Sequence, residues 1–104
     1  MDIYGMATQG KREAVQAMLR LSKDALHTPD AFGNSLLMCA ATNSNLKLVR
    51  YLCEQGADLS WCSPLSGLSA LATAACYGQF KIAAYLISQG ADVNQTLSNG
   101  WDDA

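Results

Sequence analysis

Two stretches of the chain share one pattern of apolar, small and polar positions, offset by 34 residues. Residues 33–61 and 67–95 are identical at twelve of 29 aligned positions, where about two are expected from common residue usage. Self-similarity at a fixed period of this length is typical of repeat proteins. We therefore predict a chain built from stacked units of about 34 residues.

Each unit carries two helical patterns in succession. Leu37, Ala40 and Ala41 lie at i, i+3 and i+4, which predicts a short helix with one buried stripe. The segment that follows has a doubled apolar stripe, which predicts a longer amphipathic helix. The members of this doubled stripe are Leu48, Val49, Leu52 and Cys53 in one unit and Ile82, Ala83, Leu86 and Ile87 in the next. Leu71, Ala74 and Ala75 repeat the short-helix stripe, and a fainter copy of both patterns starts at Ile3.

The pattern therefore predicts an all-α fold, a single domain over residues 1–104 made of helix-turn-helix pairs joined by short β-hairpin loops. The predicted helices are 2–9, 12–22, 35–43, 46–55, 69–77 and 80–89. The units span about 1–32, 33–66 and 67–99, and residues 100–104 form a tail or the start of a fourth unit.

Glycine and aspartate mark the predicted turns. Gly78 and its counterpart Ser44 fall where the first helix must reverse into the second, a position that suits glycine because it tolerates positive φ. Asp24, Asp58 and Asp92 occupy one register position after the second helix, which we interpret as hairpin-forming structure and not as a set of candidate carboxylates.

The third unit resembles the ankyrin repeat, whose units run Gly-x-Thr-Pro-Leu-His-x-Ala-Ala and end in Gly-Ala-Asp-Val-Asn. Here the unit begins Gly67-Leu-Ser-Ala-Leu-Ala-Thr-Ala-Ala75 and closes as Gly90-Ala-Asp-Val-Asn94. The resemblance is strong over residues 33–94 and weak over 2–26. It implies a helical solenoid that binds another protein through its hairpin tips and the concave surface of its first helices.

The departures from that family pattern also carry expectations. The family's proline and histidine are missing, although Ser35 and Ser69 can still act as helix N-caps, so we expect looser loops and lower stability. The third unit has no full fourth unit after it, so Ile82 and Leu86 are expected to be uncovered. The tail would then fold back as a lid, the chain would be a fragment, or another molecule would cover that face.

The resemblance places variable surface positions, residue by residue, on one side of the stack. The predicted partner-binding residues are Phe32, Asn34, Asn43, Trp61, Leu65, Leu68, Tyr77 and Trp101. Exposed aromatic and aliphatic groups are common anchors of interfaces, and Tyr77 is the first choice among them. Two alternatives stay open: Phe32 and Trp61 can pack under their own hairpins, and Trp101 can cap the end of the stack.

Composition narrows the classes of partner. The 104 residues carry a formal net charge of -2 and only 15% charged residues, which disfavours nucleic acid and membrane surfaces as partners. There is no apolar run of membrane-spanning length and no basic-then-apolar leader, so a soluble cytoplasmic protein is expected. In such a reducing compartment the four cysteines are expected to be free thiols.

Signals for chemistry are weak. His27 is the only histidine and stands in a predicted loop, and the cysteine gaps do not form Cys-x-x-Cys pairs. We therefore predict no enzyme activity, no metal site and no cofactor. The predicted function is protein recognition, as a regulatory protein, an effector or a toxin-neutralising immunity protein, by a monomer or a weakly self-associating chain. The alternative is a structural subunit or fragment that docks through an uncovered C-terminal repeat face, to itself or to a larger assembly.

Overall fold

The computed structural model describes residues 3–92, and every regular element within that range is an α-helix. The helices are α1 (Ile3–Thr8), α2 (Arg12–Leu21), α3 (Asp24–His27), α4 (Leu36–Ala41), α5 (Leu46–Glu54), α6 (Ala70–Cys76) and α7 (Phe80–Ser88). The pairs α1/α2, α4/α5 and α6/α7 are the three predicted pairs, with ends within two residues of those expected. The predicted all-α repeat architecture is confirmed, whereas the structure of residues 93–104, including the possible fourth unit, lies outside the described residues.

The inner helices α1, α4 and α6 lie side by side, and each packs against its own outer helix, α2, α5 or α7. Alanines make the close contacts: Ala7, Ala40, Ala41 and Ala74 are fully buried. Small side chains let helix backbones approach one another, while leucines fill the space between pairs. Ala75 is a correction to the predicted stripe, because it is exposed although its counterpart Ala41 is buried.

The expectation that Ile82 and Leu86 are uncovered is wrong. Both side chains are almost completely buried, with 1% and 0% of their surface exposed, and α7 packs against both α6 and α5. The exposed apolar side chains of α7 are instead Phe80 and Ile87, at 73% and 48%. Of the predicted double stripe, Ile82 and Leu86 thus join the core, Ala83 packs partly buried against it, and Ile87 is exposed.

The first connection differs from the predicted hairpin. Asp24 begins the short helix α3, whose Leu26 is buried in the core. The Thr28 hydroxyl donates a hydrogen bond to the Asp24 carbonyl oxygen over 2.8 Å and closes this single turn. The equivalence with Asp58 therefore fails here, because burial of Leu26 favours a helical turn over an extended segment.

The turns from inner to outer helix use two different solutions. Gly78 has a φ of +73°, and the next residue, Gln79, donates its backbone N–H to the Ala74 carbonyl oxygen over 2.8 Å, which ends α6 in a Schellman-type turn. Ser44 does not copy this conformation, because no described residue other than glycine has a positive φ. In its place the Asn43 side chain accepts the Asn45 backbone N–H over 3.0 Å.

Side-chain amides join successive units at these turns. Asn45 donates to the Gly10 carbonyl oxygen over 2.8 Å, and Gln79, one period later, donates to the Thr42 carbonyl oxygen over 3.3 Å. Thr42 is the C-cap residue of α4, whose carbonyl group has no intrahelical donor, and the Gly10 carbonyl lies in the turn after α1 and also accepts the Arg12 backbone N–H. The two side-chain bonds also hold each unit in register with the one before it.

Serine caps and loop side chains replace the anchors that the sequence lacks. Ser35 and Ser69 are N-caps, as predicted, since their side chains accept the backbone N–H groups of Met38 and Ala72. Within residues 3–92 the connections contain no β-strand, and one isolated antiparallel bridge joins Cys62 to Ser69. The predicted hairpin loops are thus turns held by individual hydrogen bonds, and they do not form extended β-ladders.

Candidate functional site

A groove runs along one side of the stack, between the inner helices and the loops that precede them. We call it the inner groove, and its volume is about 610 Å³. It is lined by Thr8, Asp30, Phe32, Asn34, Met38, Cys39, Thr42, Ser66, Leu68, Thr73 and Tyr77. Residues from all three units contribute, so the groove depends on the stacking of the whole domain.

Four of the predicted partner-binding residues line this groove: Phe32, Asn34, Leu68 and Tyr77. Phe32 and Tyr77 are large aromatic side chains with 67% and 61% of their surface exposed. Buried Met38 and Thr73, in contrast, are part of the stack itself. The groove therefore has a floor that belongs to the core. Its exposed aromatic rings can contact a bound protein without any loss of core packing.

Asp30 shapes the wall that carries Phe32. Its Oδ1 atom accepts the backbone N–H groups of Phe32 and Asn34, each over 2.9 Å, and the Gly33 N–H donates to its carbonyl oxygen over 3.0 Å. Its Oδ2 atom lies 3.8 Å from the Cys39 Sγ, which donates to it. The prediction from sequence missed Asp30, although aspartate at the first position of a turn with glycine at the fourth is a known turn signal.

The opposite wall ends in Tyr77, the C-cap residue of α6. Its backbone N–H donates to the Thr73 carbonyl oxygen over 3.1 Å, and the Thr73 hydroxyl donates to the Ser69 carbonyl oxygen over 2.8 Å. The backbone of Tyr77 is thus fixed at the helix end while its ring remains exposed. A rigid backbone with an exposed ring suits an interface anchor, because little conformational entropy is lost on binding.

The other predicted residues lie elsewhere. Asn43 donates to the Thr8 carbonyl oxygen over 3.2 Å and supports the α4 turn, so its amide serves the scaffold. Leu65 is exposed on the turn beside Ser66, at a hairpin tip outside the groove. Trp101 lies outside the described residues.

Trp61 packs against the core and joins two successive loops. Its indole N–H donates to the Gly33 carbonyl oxygen over 2.8 Å, and nearby the Ser63 hydroxyl donates to the Phe32 carbonyl oxygen over 3.2 Å. These two bonds tie the loop that contains Trp61 and Ser63 to the preceding loop, at Phe32 and Gly33. Trp61 therefore packs on that preceding loop, which is a structural role close to the open alternative.

A small pocket of about 90 Å³ lies beside Trp61, with His27 and Asp58 among the residues that line it. The Ser60 hydroxyl and backbone N–H donate to Asp58 Oδ1 over 2.6 and 2.8 Å. These hydrogen bonds, more than the nearby His27, lower the pKa of the Asp58 carboxyl. The arrangement fits a loop held by a carboxylate.

Metal ligands and reactive thiols are the groups of the described residues that bear on possible chemistry. No group of three or more His, Cys, Asp or Glu side chains within residues 3–92 could hold a metal ion. Burial, and then the nearby Glu54 charge, raise the pKa of the Cys53 thiol to about 11, so it is protonated and a poor nucleophile at neutral pH. Among the helices of the same range, none has the length and apolar character needed to cross a membrane.

Comparisons with known proteins agree with this architecture. A family model for ankyrin repeats, in three copies, matches residues 3–96. A solved structure described as the predatory endopeptidase Bd0816 from Bdellovibrio bacteriovorus in complex with immunity protein Bd3460 contains a similar chain, with 31% sequence identity and a TM-score of 0.83. The alignment covers 88% of this chain and 47% of that one, so this chain spans about half the length of its structural neighbour. A search of curated proteins gives no match.

Proposed function

This chain belongs to the ankyrin-repeat family, and on that premise we propose that it is a non-enzymatic module that binds one partner protein in the inner groove and along the neighbouring hairpin tips. The observation that carries the proposal is the placement of Phe32, Leu68 and Tyr77 around one groove of about 610 Å³. Aromatic side chains dominate the energy of many protein interfaces, typically with a few residues near the centre.

Among the settings left open by the sequence, we favour an immunity-type role in which the partner is an enzyme held inactive. The similar chain belongs to a complex of an endopeptidase with an immunity protein, at 31% identity. An ankyrin-type chain that works by tight binding needs a preformed surface and no catalytic group, which fits a fixed groove floor with exposed aromatic walls. A regulatory or effector role would use the same surface on a partner that is not an enzyme.

The test compares partner capture by the full-length wild-type chain, a Phe32→Ala, Tyr77→Ala double variant and a Phe80→Ala control. Phe80 matches Phe32 in type and exposure but lies on α7, away from the groove. We expect wild type and control to retain the same protein from a lysate of the source organism. The double variant should bind it at least about tenfold more weakly, since truncation of one central aromatic typically costs more than 1 kcal/mol.

Activity assays on the purified partner then distinguish the immunity role from a regulatory or effector role. Loss of a measured enzymatic activity on addition of wild type, and not of the double variant, supports the immunity role. A partner without such activity would move the assignment to regulation. Equal capture by wild type and the double variant, with folding verified by circular dichroism, would reject the inner groove as the binding surface.

The alternative of a structural subunit requires its own test, and burial in the structure determines which residue of α7 is suitable for mutation. Leu86 is buried, so Leu86→Glu would disrupt the core and would say nothing about docking. Ile87→Glu places the charge on an exposed position of α7 instead. A dimer in light scattering that becomes a monomer in this variant would favour the subunit reading.

A further inference from the structure

The inner groove differs in charge from the rest of the molecule. The helices α1, α4 and α6, which form its floor, contain no aspartate, glutamate, lysine, arginine or histidine. The outer helices α2, α5 and α7 contain seven charged residues: Arg12, Glu13, Arg20, Lys47, Arg50, Glu54 and Lys81. The groove is therefore close to neutral, whereas the outer helices are densely charged.

Asp30 is the only charged residue among those that line the groove in the described part of the chain. Its Oδ1 atom accepts two backbone N–H groups and its Oδ2 atom accepts the Cys39 thiol. Three donors therefore occupy three of the roughly four lone-pair sites of this carboxylate, although the thiol is a weak donor. The one charge in the groove thus serves mainly to maintain the loop, and about one site is left for a basic side chain.

From this charge pattern we infer that the occupant of the inner groove is an uncharged, apolar segment of the partner protein, an inference that rests on the proposed function. Phe32, Leu68 and Tyr77 offer apolar surface on the walls, and Met38 contributes to the floor. A volume of about 610 Å³ accepts several apolar side chains, within the range of about 300–1,000 Å³ usual for binding pockets. Burial of those side chains supplies the favourable free energy.

A charged segment would bind less well for a physical reason. A partner carboxylate would lose hydration in a groove without a described cation and would approach Asp30, a like charge. A partner lysine or arginine would also lose hydration and would find Asp30 already hydrogen-bonded. The neutral side chains at the rim, such as Asn34 and Ser66, can still exchange hydrogen bonds with the peptide groups of a bound segment.

The experiment selects displayed random peptides on the full-length wild-type chain, after removal of those that bind a Phe32→Ser, Tyr77→Ser double variant. Peptides that remain depend on the groove, and Phe80→Ser serves as the control that must still bind them. We expect these peptides to share a core of uncharged apolar residues. Their Kd should change by less than about twofold between roughly 0.05 and 0.5 M salt, since screening acts only on charge interactions.

Groove-dependent peptides enriched in acidic or basic residues, or a steep salt dependence, would overturn the inference and leave the proposed function standing. A selection without any groove-dependent peptide would overturn it as well. The capture experiment with the natural partner then shows whether the proposed function fails too, because it compares the same two groove positions without any assumption about the charge of the partner.

Discussion

The two helices of the middle unit show how differently the inner and outer layers of this molecule are composed. All six residues of α4 are buried, including both alanines, Ala40 and Ala41. In α5, only Leu48, Val49 and Leu52 are buried, and the charged side chains of the same helix are exposed. The same chain thus makes one helix that is apolar all round and one with a single apolar stripe.

The difference follows from the neighbours of each helix. The inner helix α4 packs against α1 on one side, α6 on the other and α5 behind it, so apolar residues are required at every position. The outer helix α5 has solvent on its far side, where charges are well hydrated. The large exposed side chains on this side of the stack therefore lie at the end of an inner helix and in the adjoining loops, as Tyr77 and Phe32 do.

The largest expected change in stability tests whether the outer helix α7 is held to the core by its buried residues and not by its exposed ones. Leu86→Ala should lower the free energy of unfolding by about 3 kcal/mol, because it leaves a cavity at a fully buried site of α7. The matched control, Ile87→Ala, removes a half-exposed neighbour and should cost less than about 1 kcal/mol. Urea unfolding followed by circular dichroism measures both. Equal losses would show that α7 buries the whole doubled stripe and that our assignment of its exposed half is wrong.

The second effect tests the requirement for small residues in the inner layer. Ala74→Leu should cost about 2 kcal/mol, because the added methyl groups overpack a fully buried position in α6. Ala75→Leu, one residue later on the exposed side, should change the unfolding free energy by less than about 0.5 kcal/mol. Thermal unfolding of the two variants compares them directly. A tolerated leucine at position 74 would contradict close helix packing there.

The same two alanines show what the sequence can and cannot specify. Their spacing in a repeated pattern predicts an inner helix at residues 69–77, and the structure has α6 at Ala70–Cys76. The pattern treats Ala74 and Ala75 alike, yet only Ala74 is buried. Periodicity assigns a residue to a face of a helix, whereas burial depends on which neighbouring element covers that face, and this is a tertiary property.

The candidate site divides in a similar way. The family resemblance, applied residue by residue, is enough to select Phe32, Leu68 and Tyr77 as candidates, and all three line the inner groove. Register could not find Asp30, whose two carboxylate oxygens hold the Phe32 loop through contacts specific to that turn. The resemblance also places Asn43 and Trp61 among the candidate contacts, because their hydrogen bonds to earlier turns and loops are not visible in a pattern of residue types.

A third, smaller effect concerns the bonds that join the loops of neighbouring units. Trp61→Phe keeps an aromatic ring but removes the indole N–H that donates to the Gly33 carbonyl oxygen over 2.8 Å. We expect a loss of about 1 kcal/mol in unfolding free energy, the usual size of one partly buried hydrogen bond. A Phe32→Ala chain, altered on the exposed side of the same loop, should stay within about 0.5 kcal/mol of wild type. The rate of hydrogen exchange at the Gly33 and Asn34 amides should rise in Trp61→Phe and not in Phe32→Ala. Unchanged rates in Trp61→Phe would show that the Trp61 bond does not hold this loop.

The smallest expected change in stability concerns a charged side chain at the surface, the Asp58 carboxylate in its turn. Hydrogen bonds from Ser60 lower the pKa of the Asp58 carboxyl in the folded chain below its unfolded value. The stabilisation is therefore present above the unfolded pKa, near 4, and is lost as the pH falls through the folded pKa. Asp58→Asn should cost no more than about 0.5 kcal/mol at pH 7, because the site is solvent-exposed, and should make the stability less dependent on pH below about 4. Ser60→Ala should give part of this flattening, since it removes the hydroxyl donor, which lowers the pKa most, and keeps the backbone N–H donor. If both variants lose stability on acidification as steeply as wild type, other carboxylates control the acid response, and the charge at this turn contributes nothing measurable to the stack.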